Sequence, residues 1–155
     1  MNYTYDALDR LSDVASPAGG GAHYDYDAVG NRTALVHANG MRTDYVYNPR
    51  NQLTTLTHKL PSGAVTQNLV YQLDNAGMRT RITETGAASR TYVYTLDGVR
   101  RLKTEQLTAS GANRSVTWTY DGVGNRLTET RTGTLPSVTT NTFDANDRLT
   151  RAVTT

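Results

Sequence analysis

The sequence predicts an all-β protein, a repetitive antiparallel β-hairpin meander coiling into a β-solenoid or partial hollow shell. Three observations point there. Strand-favouring residues dominate, with 26 Thr, 10 Tyr and one Trp in 155 residues. An aromatic-x-aromatic-Asp pattern returns along the whole chain. Turn chemistry separates the copies, and no stretch sustains a 3.6-residue period, so helix is not expected.

The repeat is anchored on Asp6, Asp27, Asn48, Asp74, Asp97, Asp121 and Asp144, at separations of 21, 21, 26, 23, 24 and 23 residues. One residue earlier stand Tyr5, Tyr26, Tyr47, Leu73, Leu96, Tyr120 and Phe143. Two residues before those stand Tyr3, Tyr24, Tyr45, Tyr71, Tyr94, Trp118 and the polar departure Asn141. Side chains alternate along a strand, so each aromatic-x-aromatic pair lies on one face. In Val116-Thr117-Trp118-Thr119-Tyr120 the apolar residues face one way and the threonines the other.

Each anchor opens a turn. Asp27-Ala28-Val29-Gly30-Asn31-Arg32 and Asp121-Gly122-Val123-Gly124-Asn125-Arg126 are the fullest copies. Gly30, Gly77 and Gly124 supply the positive φ a tight turn needs, and the anchor side chains cap turn amides. Asn48 does this without charge. Second turns follow at Pro17–Gly21, Asn39-Gly40, Pro61–Gly63, Gly86-Ala87, Ser110-Gly111 and Gly133–Pro136, so each copy is a hairpin. About fourteen strands at ~4.8 Å would make a flat sheet roughly 65 Å wide, and open sheets rarely exceed about ten strands. The array is therefore expected to coil. With no linker composition, residues 1–155 read as one continuous array of seven repeats without evident caps.

At these residues the chain resembles the YD-repeat, or Rhs-repeat, family, whose pattern is close to aromatic-x-Tyr-Asp-x-x-Gly-(Asn)-Arg-Leu. Tyr24 to Arg32 and Trp118 to Leu127 match best. The resemblance implies a β-ribbon spiralling into a shell, as in bacterial polymorphic toxins, insecticidal toxin complexes and teneurins. It also implies an extracellular or cell-surface location. Seven repeats are fewer than a complete family shell, and no self-cleaving core terminus, plug or toxin domain is visible. The chain reads as a piece of shell wall, with flanking YD repeats or further copies of itself as partners.

Composition narrows the alternatives. Net charge is only +2, with Arg spread along the chain, which is too little for a nucleic-acid or anionic-membrane footprint. There is no Cys, hence no disulfide, thiolate zinc site or thiol catalysis. No apolar run approaches a membrane span, and Met1–Asp6 shows no secretory leader. His23, His37 and His58 lack metal-ligand spacing and read as surface histidines; no nucleophile elbow appears, and no cofactor or catalytic residue is assigned. The repeating carboxylates read as structural because every turn has one. Arg10, Arg32, Arg50, Arg79, Arg100, Arg126 and Arg148 are expected to pair with a neighbouring Asp and lie over a ring. The rings themselves read as the core, cross-strand aromatic pairs contributing about 0.2–1 kcal/mol each. Exposed, the same ladders would instead suit glycans.

Overall fold

The computed structural model describes residues 1–155, all in strands and turns. In chain order the strands are β1 (Asn2–Tyr5), β2 (Leu11–Ala15), β3 (Gly21–Tyr26), β4 (Arg32–His37), β5 (Arg42–Tyr47), β6 (Leu53–Lys59) and β7 (Val65–Leu73). They continue with β8 (Arg79–Gly86), β9 (Arg90–Leu96), β10 (Leu102–Ala109), β11 (Arg114–Tyr120), β12 (Arg126–Gly133), β13 (Ser137–Phe143) and β14 (Leu149–Thr154). Strand order in the sheet is consecutive from β1 to β14, so β1 borders only β2 and β14 only β13. The predicted class is the one observed: all-β, antiparallel, a meander in one sheet that does not close.

The chain divides into two compact units, the division falling within β8. The first comprises Met1–Met78 with Thr83–Ala88, the second Arg79–Ile82 with Ser89–Thr155.

One turn geometry closes every anchored hairpin. The anchor N–H donates to the carbonyl four residues on, as in Asp6 to Arg10 at 2.8 Å and Asp97 to Arg101 at 2.9 Å. The amide three residues on donates back to the anchor carbonyl, as in Asp9 to Asp6 at 3.0 Å. That third residue has positive φ at all seven anchors: Asp9, Gly30, Asn51, Gly77, Arg100, Gly124 and Asp147. Glycine fits there at no steric cost, as at Gly30 with φ 96°, and Asn or Asp tolerates it. Arg100, at φ 67°, is the exception that side-chain chemistry does not favour.

A bulge follows six of these turns, those anchored on Asp6, Asp27, Asn48, Asp97, Asp121 and Asp144. Tyr5 pairs with Leu11 but Thr4 with Asp13, leaving Ser12 extra. The same skip leaves Thr33, Thr54, Lys103, Leu127 and Thr150 unpaired, each six residues after its anchor. An extra residue at a fixed place sharpens the local right-handed twist in these six hairpins. Nothing in composition announces it.

Burial is shallow. Ala34 and Val116 are the buried apolar residues, at 1% and 3% exposure, and Thr43 at 6% is the buried polar one. The expected aromatic core is a half-buried row: Tyr24, Tyr26, Tyr45, Tyr47, Tyr71, Tyr94, Trp118, Tyr120 and Phe143 are all of intermediate exposure. Tyr3 and Tyr5, on the edge strand, are exposed at 53% and 61%.

Candidate functional site

The recurring structure is a junction between one anchored turn and the next, built from three side chains. The first is the anchor. Asp27 Oδ1 accepts from the amides of Val29 at 3.1 Å and Asn31 at 2.8 Å. Asp6, Asn48, Asp74, Asp97, Asp121 and Asp144 accept from the amides two and four residues on in the same way. These are Asx-turn bonds, in which the side chain stands in for backbone.

The second side chain sits four residues after the anchor. Arg10, Arg101 and Arg148 donate Nε to the anchor carboxylate at 2.7, 2.6 and 2.8 Å, and Asn31 and Asn125 donate Nδ2 at 3.0 Å. In the neutral copy the direction reverses, Asn48 donating to Gln52 Oε1 at 2.9 Å. These contacts hold several carboxyls below the aspartate value of 3.8. For Asp6 the Arg10 amide contributes most, for Asp27 the Asn31 side chain, for Asp97 and Asp144 the guanidiniums of Arg101 and Arg148. Asp121 is pushed up by desolvation, but the Asn125 hydrogen bonds win and its net shift is downward.

This second residue also reaches the following turn. Arg10 Nη1 donates to the Asp27 carbonyl at 2.9 Å, and Arg101 Nη1 to that of Asp121 at 3.1 Å. Asn31 reaches Asn51 at 3.0 Å and Asn125 reaches Asp147 at 2.9 Å.

The third element is the ring before the next anchor. Tyr26, Tyr47 and Tyr120 donate their hydroxyls to the carbonyls of Leu11, Arg32 and Leu102, at 2.9, 3.0 and 2.7 Å. Each acceptor lies five residues after the preceding anchor. The guanidiniums of Arg10 and Arg101 lie over the Tyr26 and Tyr120 rings, 4.7 and 4.6 Å from their centres. Phe143 has no hydroxyl; Asn141 donates instead to the equivalent Arg126 carbonyl at 2.9 Å. The polar departure at Asn141 thus replaces the donor its neighbour lacks, a compensation visible only once the strands are in register.

The arginines of the anchored turns occupy four positions, two, three, four and five residues after their anchors, with different partners at each. Arg10 and Arg148 pair with their anchors as expected. In the fifth copy that partner is Arg101 and not Arg100, because Arg100 occupies the left-handed turn position. Arg32, one residue later, lies over Tyr24 and Tyr45, and Arg126 pairs with Glu129 at 3.1 Å. Arg50 donates to the Asn75 carbonyl at 2.9 Å.

The two units differ in where their other charges lie. Register places Asp13, His23, Asp25, Arg42, Asp44 and Lys59 of the first unit on the face opposite the rings. His23 bonds Asp13 at 2.6 Å and Asp25 at 3.0 Å, which raises its pKa, Asp13 contributing most. Arg42 and Lys59 bracket Asp44 at 2.6 and 2.7 Å. In the second unit Glu105, Arg114, Glu129 and Arg131 share the ring face. Trp118 donates Nε1 to Glu129 at 2.8 Å, Arg131 binds the same carboxylate, and Arg114 pairs with Glu105 at 2.9 Å. Its opposite face carries the row Thr95, Thr104, Thr117 and Thr130, with Thr119 and Thr128 beside it.

This is a hairpin-repeat protein in which Asp, Arg or Asn, and Tyr lock the first copy to the second, the second to the third and the fifth to the sixth. Residues 26–65 match the RHS Repeat family model. A search of curated proteins gave no match. Among solved structures, the crystal structure of TcdB2-TccC3-Cdc42 is similar with a TM-score of 0.78, and that of TcdB2-TccC3-TEV with 0.77. A TccC3-mutant Tc holotoxin pore from Photorhabdus luminescens aligns with 0.76. In all three, identity is 20% and the alignment covers 98% of this chain. The chain spans 9% of the length of those chains.

Proposed function

We propose that this chain is a non-catalytic YD-repeat segment that forms the wall of a β-shell or tube, outside the cell or at its surface. The observation that carries this reading is the use of the repeated polar residues. Anchor side chains bind their own turn, and at Arg10, Asn31, Arg101 and Asn125 the residue four positions on binds that turn and reaches the next one. The polar groups that would attract a catalytic or metal-binding assignment are thereby given a constructional task. The RHS match and the shared fold support it, and both suit flanking YD repeats, or further copies, as partners.

Glycan binding through the rings is the competing reading. Trp118→Ala separates them. Trp118 is half-buried and bonded to Glu129, so its removal is expected to destabilise the chain by about 2–3 kcal/mol, below the roughly 3–5 typical of a fully buried ring. Chemical denaturation reads the loss. Saccharide binding on a glycan array, abolished by Trp118→Ala with stability unchanged, would overturn the wall reading.

A further inference from the structure

Arg32 differs from Arg10 and Arg101 in what its guanidinium does. Arg10 and Arg101 lie over tyrosine rings with their donors committed, Nε to the anchor carboxylate and Nη1 to the carbonyl of the next anchor. Arg32 is half-buried over Tyr45, 4.6 Å from its centre, and Tyr24, at 5.9 Å. Its guanidinium N–H groups meet no acceptor in this chain. The acids that could satisfy it are engaged elsewhere. Asp13, Asp25 and Asp44 lie on the opposite face. Asp27 holds its own turn amides and Asn31, and Glu84, two strands beyond His58, accepts from Gln67.

Beside Arg32 the ring face is hollow. A cavity of about 410 Å³ is lined by Leu35 and His37 of β4, Met41 just before β5, Thr43 and Tyr45 of β5, and His58 of β6. Small-molecule sites are of this size, roughly 300–1,000 Å³. The local sequence makes the hollow. Register sets Thr43 between Leu35 and His58, and threonine is shorter than either neighbour. Thr43 is 6% exposed and forms the floor. Its hydroxyl lies 2.9 Å from His58 Nδ1 and fixes that ring, while His58 Nε2 and the His37 imidazole carry no partner. Tyr45 belongs to both features, since the Arg32 guanidinium lies over its ring and the ring lines the cavity. No carboxylate lines it.

We propose that this hollow, together with Arg32, is a binding site for a small organic carboxylate whose apolar body lies against Leu35, Met41 and Tyr45. The guanidinium fork takes the carboxylate, two parallel N–H donors matching two oxygens. Its rest on the Tyr24 and Tyr45 rings pre-orients the fork, so little freedom is lost on binding. The imidazoles of His37 and His58 add donors, and a hollow without acids selects an anion over a cation. The apolar wall sets the second requirement, because a bare carboxylate head buries nothing there. The site uses side chains of Arg32 and His37 to which the wall reading gives no task. All its residues belong to the first unit, apart from Trp118 in the second.

Titration of the whole chain with phenylacetate, followed through the methyl NMR signals of its three methionines, tests the site. Saturable binding is expected to move the Met41 signal and leave those of Met1 and Met78 in place. Phenylacetamide has the same body without the charge, and should bind about tenfold more weakly, the factor of one charge-assisted contact. Acetate, the head without the body, should also bind more weakly than phenylacetate. Arg32→Gln should lower the affinity for phenylacetate by about tenfold and leave that for phenylacetamide unchanged. Arg151→Gln, at an exposed arginine of β14, should change neither. Equal affinity for acid and amide in the unaltered chain would overturn the proposal with no variant needed. So would a lack of saturable binding, or an affinity indifferent to Arg32→Gln in a variant whose far-ultraviolet circular dichroism matches the unaltered chain. Each of these results removes the carboxylate site and leaves the wall reading standing, which falls instead to Trp118-dependent saccharide binding.

Discussion

The two kinds of turn in this molecule share a backbone and differ in what their side chains do. Ser16, His37 and Leu60 open intervening turns in which the first amide donates to the carbonyl four residues on, at 2.7, 2.8 and 2.9 Å. Gly19, Gly40 and Gly63 then take the left-handed position, as Gly30 and Gly124 do in the anchored turns. The backbone path therefore closes a hairpin without any carboxylate. The anchored turns add a side chain that holds two further amides and a partner that bridges to the next copy. That bridging, and not closure alone, is what the repeated Asp supplies.

The comparison can be tested first through acid, where the effect is collective and largest. Asp6, Asp27, Asp97, Asp121 and Asp144 all have carboxyls held below 3.8, while Asn48 does not titrate. A depressed folded-state pKa contributes stability that is present above the unfolded value and lost as pH falls through the folded one. Denaturant unfolding should therefore show stability declining below about pH 3.8, with Asp27→Asn removing part of that dependence. A profile flat down to pH 2, or unchanged by Asp27→Asn, would deny the anchors this role.

Single turns give the next effect. Asn48→Ala removes acceptors for the Arg50 and Gln52 amides and a donor to Gln52, and should cost about 1–2 kcal/mol. Ser16→Ala, in an intervening turn, removes one bond of 3.4 Å and should stay within ~0.5 kcal/mol. Equal losses in urea titrations would erase the distinction between the two sets.

Smaller still is a gain. Arg100 holds φ 67°, and it is the side chain of Arg101 that binds the anchor carboxylate. Arg100→Gly should raise stability by roughly 0.5–1 kcal/mol, left-handed strain outweighing the added backbone entropy of glycine. A lowered Tm would show that Arg100 contributes something its backbone position conceals.

The smallest effect belongs to His23, exposed between Asp13 and Asp25. Its folded pKa is raised above 6.5, so its contribution is complete below that value and fades as pH rises through the higher one. The first unit should soften slightly on the alkaline side, and His23→Gln should abolish that slope.

Much of the architecture was legible because one end of each hairpin is chemically constrained. An anchor, a left-handed residue three positions on and a large apolar residue one position before are residue-type demands, and the copies keep them except at Arg100. Copy separation varies from 21 to 26 residues because strand length changes at the intervening turns, which carry no repeated anchor. Three features needed coordinates. The bulge six residues after six of the anchors is a register event, open to Ser12, Thr33 or Lys103 alike. Arg100 and Arg101 are adjacent and identical in type, and only φ tells them apart. Asn141 reads as a lapse in the pattern until Phe143 is seen to lack the hydroxyl that its equivalents donate. The migration of charge from the plain face of the first unit to the ring face of the second is likewise a matter of pairing parity.

Amide hydrogen exchange on the intact chain tests the central claim most directly. The amides two and four residues after the anchors, such as those of Val29, Asn31, Val99, Arg101, Val123 and Asn125, lie in turns but are bound by anchor side chains. They are predicted to exchange more slowly than the amides of Ala18 and Ala64 in the intervening turns, whose bonds to Ser16 and Ser62 are 3.4 Å long. Exchange at the same rate in both sets of turns would contradict the claim that the anchored turns hold the repeats together.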